Sequence, residues 1–289
     1  LASMAYNLAR DGKNVLLIDT DIEAPGLATI FLDEDSIQKG TVDYLLERQA
    51  NSSFHANEDI KSYLNQFRDP EINEKLSGNI FVIPAGKYDD CYLNKLSRVD
   101  CQDVRIDCIK NSMSGMLKES VSFLSSNHYI IHYVLMDARA GFHEIGGVVL
   151  SQLPHVTILF GRNDPQSWNG LKEAIKLTAT AQKDPIPIII VNSMFNNRDS
   201  GRGEAQKRFK NDSHMYCSDY YYGTDAQPAV DAEDEAHSPV YIPYLDALNG
   251  PITLLSDGSE EKNERVSILS DVFIEKEYRE IVNRIYSLF

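Results

Sequence analysis

The 289 residues hold only four cysteines, Cys91, Cys101, Cys108 and Cys217, and no two of them stand in a C-x-x-C pair. That spacing excludes the usual zinc-finger and thioredoxin-type motifs, and the four thiols read as buried or incidental. No disulfide framework, no signal-peptide pattern and no apolar run long enough to span a bilayer is present. A cytoplasmic location is the expectation that follows. Positive charge is scarce too: 28 Lys and Arg stand against 43 Asp and Glu, a formal net charge of −15. A field of that sign repels phosphates and anionic headgroups, which argues against direct DNA binding and against membrane attachment. No internal repeat is visible.

What is present is ordinary globular composition, 43% hydrophobic and 25% charged. Such a chain can bury one large α/β core or two smaller ones, and a single domain over residues 1–289 is expected. Residues 1–10 carry apolar side chains at 1, 4, 5 and 8, a helical stripe that stops at Asp11-Gly12. No N-cap precedes that stripe, so the chain reads as N-terminally truncated. Short Val/Ile/Leu runs predict buried strands at Asn14–Asp19, Asn79–Pro84, Tyr129–Asp137, His155–Gly161 and Ile186–Asn192. Helical patterns fall between them, at Thr41–Gln49, Asp59–Phe67, Asp103–Ser125, Ser167–Gln182 and Gly203–Lys210. Alternation of this kind predicts an α/β fold, a mostly parallel twisted sheet with helices on both faces. A helical insertion is expected at about 41–78, and mobile loops at about 196–212 and 223–239. A C-terminal helix is expected over about 267–289. Its apolar stripe faces a charge-balanced side without the Lys/Arg excess of a membrane-surface helix, so it is expected to pack on the protein body.

In parallel sheets ligands sit at the carboxyl ends of strands, so those residues carry the chemistry. The first run ends in Asp19-Thr20-Asp21, followed by Pro25-Gly26. Two carboxylates so placed can serve Mg²⁺ and a water together, although a solvated turn has the same spelling. Tyr133–Asp137 ends in a second acid, followed by the small-residue loop Ala138-Arg139-Ala140-Gly141. An aspartate there can hold Mg²⁺ through water, and the glycine lets backbone approach a terminal phosphate. Ile188–Val191 ends in Asn192, whose amide offers an acceptor and a donor to a base edge or merely caps a loop.

In order and spacing these segments resemble the ParA/MinD family of P-loop ATPases with a deviant Walker A loop. Leu17–Leu27 is similar to the family's second nucleotide motif, and Val134–Gly141 to its Walker B and switch segment. Pro84-Ala85-Gly86, Asp164-Pro165-Gln166-Ser167 and Tyr241-Ile242-Pro243-Tyr244 also resemble family elements. The resemblance implies a three-layer P-loop NTPase fold, ATP or ADP with Mg²⁺ as cofactors, and a nucleotide-dependent homodimer that engages a further protein partner. It implies that Asp21 orients the attacking water and that Asp19 is a magnesium-shell or switch carboxylate. Asp137 is then the Walker B metal acid, Gly141 lies by the phosphates, and Asn192 reads adenine with Pro243 flanking the base.

The family's Gly-Lys-Gly-Gly-Val-Gly-Lys-Thr loop and the strand before it are absent from this sequence. With them go the backbone nest and both lysines that hold phosphate. The intact protein is therefore expected to be an ATPase, and this chain alone to bind nucleotide poorly. The alternative is a non-catalytic interaction module on a degenerate P-loop fold.

Overall fold

The computed structural model describes residues 1–51, 53–99, 106–138, 144–195, 202–223 and 227–289. Along the chain come α1 (Ala2–Arg10), β1 (Val15–Asp19), α2 (Leu27–Phe31), α3 (Thr41–Ala50), β2 (Asn65–Gln66), α4 (Pro70–Asn73), β3 (Ile80–Ile83), α5 (Tyr92–Arg98) and α6 (Ile106–Ser126). There follow β4 (Tyr133–Asp137), α7 (Glu144–Ser151), β5 (Thr157–Gly161), α8 (Pro165–Thr180), β6 (Ile188–Phe195), α9 (Arg202–Tyr220), β7 (Val240–Pro243), α10 (Glu260–Phe273) and α11 (Lys276–Ser287). They gather into two compact units, Leu1–Val148 with Gly250–Ile274, and Val149–Asn249 with Glu275–Phe289.

The first unit is built on a sheet of order β2-β3-β1-β4. Every residue of β1 is buried. A strand covered on both faces has to be apolar throughout, and Val15-Leu16-Leu17-Ile18 is. It pairs in parallel with β3 on one side and β4 on the other. Helix α1 is buried from Ala2 to Ala9, a stretch whose small alanines let it lie close to its neighbours. It ends in a Schellman motif at Gly12 (φ 77°), with the Gly12 and Lys13 N–H groups donating to Ala9 and Leu8 carbonyls. The Asn7 amide donates to the Phe273 carbonyl at 2.6 Å, which ties α1 to α10.

The second unit holds the parallel sheet β5-β6-β7, with Ile188–Val191 of the central strand buried. Helix α8 starts on an Asp164 cap that accepts the Ser167 N–H, with Pro165 in the first turn, where a missing N–H costs nothing. Helix α11 packs its stripe of Tyr278, Ile281, Val282 and Ile285 inward, beside β7. The apolar side of α11 thus goes into the second unit, while Phe289 beyond it is exposed. Among the described residues no helix is long and apolar enough to cross a membrane.

The five expected parallel strands and the α/β class match the sequence reading, with β7 as a sixth parallel strand; four details do not. The helix expected at Asp59–Phe67 is a 3-10 segment, Asn57–Ser62, followed by the antiparallel edge strand β2. The Phe67 N–H donates to the Ile80 carbonyl, so pairing with the β3 edge overrides a weak helical pattern. The stretch 202–212, expected as a loop, belongs to α9, which runs ten residues beyond the expected Lys210; 196–201 lie outside the described residues. The terminal helix is two helices, α10 and α11, parted at Ile274-Glu275, and each belongs to a different unit. Consequently Ile268 of the expected stripe is half-exposed. Helices α2, α4, α5 and α7 were not expected and are too short for a clear period.

The stretch 227–239 is irregular but well tied. Arg284 donates to the Glu235 and Ser238 carbonyls, and His214 Nε2 lies 2.9 Å from the Pro228 carbonyl. His237 is fully buried, its ring edge-on to His214 with centroids 4.7 Å apart and its Nδ1 2.8 Å from the Tyr222 hydroxyl. Burial, then the His214 and Lys210 charges, lower its pKa, against the Val230 carbonyl and Glu235. The unfolded chain then binds the proton more readily than the folded one. Stability is fully present above the ordinary His range, about pH 6.5, and is lost as pH falls below it. We expect the denaturation midpoint to drop more between pH 7.5 and 5 in the wild type than in His237→Gln. Parallel pH profiles for the two would discard His237 as the acid-sensitive group.

Candidate functional site

Strands β1 and β4 end together. Asp19 closes β1, Asp137 closes β4, and the two are register partners across the parallel pair. Residues in register on neighbouring strands, about 4.8 Å apart, turn their side chains to the same face. Asp19 is fully buried. Its Oδ1 accepts the Asp21 N–H at 3.1 Å and its Oδ2 the Leu27 N–H at 3.2 Å. Burial, then the neighbouring Asp137 carboxylate, pushes its pKa up to about 7 against those two donors. Asp137 is raised as well, first by burial and then by Asp21. The amino end of α1 lies near Asp137. A helix end of this kind carries about half a positive charge and free N–H groups.

The turn after β1 is held from several sides. Thr20 donates both its N–H and its hydroxyl to the Asp137 carbonyl. Asp21, half-buried, accepts the Ala24 N–H on Oδ1 at 3.1 Å. Among the described residues no hydrogen bond reaches its Oδ2. The Thr41 hydroxyl donates to the Asp19 carbonyl at 2.6 Å, and the Tyr92 hydroxyl to the Ile22 carbonyl at 2.7 Å. Thr41 and Tyr92 were not anticipated from the sequence.

In the second unit, Asn192 of β6 stands opposite Gly161 and Tyr241, and Pro243 ends β7 opposite Phe195. Asn192 is 2% exposed, and its Oδ1 is buried with no hydrogen-bond partner. An orphaned buried acceptor costs about 1–3 kcal/mol, which a ligand N–H would recover. The expected residues thus fall in two groups, Asp19, Asp21 and Asp137 in one unit and Asn192 and Pro243 in the other. Gly141, with Arg139, lies outside the described residues.

No family model and no curated protein matches the sequence. Solved structures do match the fold. The structure of pNOB8 ParA aligns over 100% of this chain and 93% of its own, at 16% identity and a TM-score of 0.56. The structure of pNOB8 ParA bound to nonspecific DNA aligns over 99% of this chain and 92% of its own, at 15% identity and a TM-score of 0.56. The MinD cell division protein of Aquifex aeolicus aligns over 98% and 89% at 16% identity, with a TM-score of 0.43. The first two carry the comparison: the α/β class resolves into the fold seen in pNOB8 ParA.

Proposed function

We propose that this chain carries the strand-end acids of the nucleotide site of a ParA/MinD-type ATPase whose nucleotide state governs homodimerisation and binding of a protein partner, and that by itself it binds nucleotide poorly. One observation carries the reading. Asp19 and Asp137 end adjacent parallel strands in register, with Asp21 two residues on. Carboxylates grouped in this way suit a hard cation with part of its water shell.

The donor set fits Mg²⁺. Two facing acids, both raised in pKa, gain from a cation between them. Among the described residues no three His, Cys, Asp or Glu side chains converge into a cage. Mg²⁺ needs none, since it takes one or two carboxylates and completes its shell with water and phosphate oxygens. Asp137 would hold it, with Asp19 in the outer shell, and when bound it would supply charge neutralisation at the phosphates. Asp21 would orient the attacking water through Oδ2. Taken by itself, the second unit offers in the orphaned Asn192 Oδ1 an acceptor that suits an adenine amino group, with Pro243 ending the neighbouring strand. The net charge of −15 supports a protein partner over nucleic acid for this chain.

The test is calorimetry and turnover on the protein expressed from its complete reading frame. Binding of ATP that strengthens with Mg²⁺, and an ATPase rate per protomer that rises with protein concentration, are the expected results. Absence of nucleotide binding under both conditions would hand the fold to the interaction-module reading.

A further inference from the structure

The Pro84-Ala85-Gly86 segment ends against a tyrosine. Tyr92, at the start of α5, is 1% exposed. A Cβ built on Gly86 would lie 2.9 Å from its ring and 2.7 Å from Val42, so the glycine is what lets the ring sit there. Lys95, one turn along α5, pairs with Asp43 of α3 at 2.9 Å. Asp43 in turn accepts the Gly40 N–H at 2.9 Å. From this fixed seat the Tyr92 hydroxyl reaches across 70 residues of sequence to the Ile22 carbonyl. Ile22 is itself buried and directly follows Asp21. The phenol stays protonated, because burial and then the Asp19 and Asp43 carboxylates raise its pKa. It is therefore a dependable donor.

We propose that Tyr92 is a positioning residue for ATP hydrolysis: by holding the Ile22 carbonyl it fixes the peptide next to Asp21 and with it the carboxylate that orients water. The proposal rests on the ATPase reading above. Asp21 is placed by a short turn whose internal bonds, Asp19 to the Asp21 N–H and Asp21 to the Ala24 N–H, are local, and whose near side Thr20 ties to the Asp137 carbonyl. Tyr92 pins that turn to α5, outside it. Positioning errors near 1 Å are costly to catalysis while leaving ground-state binding nearly intact.

Tyr92→Phe keeps the ring on Gly86 and removes the hydroxyl alone. In the protein expressed from its complete reading frame, kcat is expected to fall about tenfold with KM for ATP within about twofold. Exchange of the Ala24 and Leu27 amides should quicken while that of β1 does not. Because Tyr92 acts through Asp21, Tyr92→Phe should cost nothing further in an Asp21→Asn background. An unchanged kcat in Tyr92→Phe overturns the proposal, and so does an undiminished tenfold loss in the Asp21→Asn background. A wild-type protein that binds no ATP overturns the ATPase reading beneath it. In that case amide exchange that ignores Tyr92→Phe overturns the anchoring as well.

Discussion

Replacing Asp21 with Ala is expected to lower ATP turnover by about a hundredfold or more while leaving Mg²⁺-dependent ATP binding within about twofold. The expectation comes from the division of work among the three acids. Asp19 is fully buried and each of its oxygens already accepts a backbone N–H, so it is poorly placed to orient the attacking water. Asp137 lies near the amino end of α1, the side from which phosphate would be held. Asp21, half-buried like Asp137, accepts the Ala24 N–H on one oxygen and, among the described residues, nothing on the other. Ala also removes the Ala24 N–H acceptor, so a companion Asp21→Asn is needed. Its amide oxygen can still accept that N–H, keeping the turn while deleting the charge. Both variants should lose turnover together. Full activity in either would remove the Asp21 carboxylate from the hydrolytic role.

The core of the fold was readable because buried parallel strands leave a strong signature. Val15–Ile18, Ile80–Ile83 and Ile188–Val191 are continuous apolar runs, and each became a strand buried along that run. Strand β2 has no such run. Asn65-Gln66 is half-buried and polar, and only the free edge of β3 makes it a strand. The break between α10 and α11 was hidden for a related reason. Apolar residues continue at helical spacing through Ile274, although α10 and α11 bury theirs in different units.

The acids of the candidate site were legible because strand ends reveal them: an apolar run that stops in Asp places a carboxylate at the sheet's carboxyl edge. Thr41 and Tyr92 were not, since each acts through a hydroxyl on a backbone carbonyl 22 or 70 residues away. No local pattern encodes such a bond. Gly40 and Gly86 are the nearest thing to a signal. Both mark places where two chain segments approach too closely for a side chain, and the segments they join are the ones that carry Thr41 and Tyr92.

Gly40 makes the second large prediction. Its backbone is extended (φ −153°), a conformation open to any residue, so left-handed strain is not the reason for glycine there. Space is the reason. A Cβ at position 40 would lie 2.3 Å from the Pro84 carbonyl oxygen and 2.5 Å from the Gly86 nitrogen. Both are backbone atoms, and the Pro84 and Ala85 carbonyls are held by the Thr41 and Val42 N–H groups at 2.9 and 2.8 Å, so neither can swing aside. Gly40→Ala should therefore cost about 3 kcal/mol, the upper part of the usual overpacking range, and lower Tm by roughly 6–12 °C. Relief has to come from moving α3 off the end of β3. That motion drags Thr41 from the Asp19 carbonyl and disturbs the Gly86 seat of Tyr92, so turnover should fall even well below the new Tm. Gly26→Ala is the control: it lies in the same region of the chain, at the start of α2, with no heavy atom within 4 Å of its built Cβ. Equal thermal midpoints for Gly40→Ala and Gly26→Ala would show that the α3–β3 junction yields freely and is no part of what holds the Asp21 turn in place.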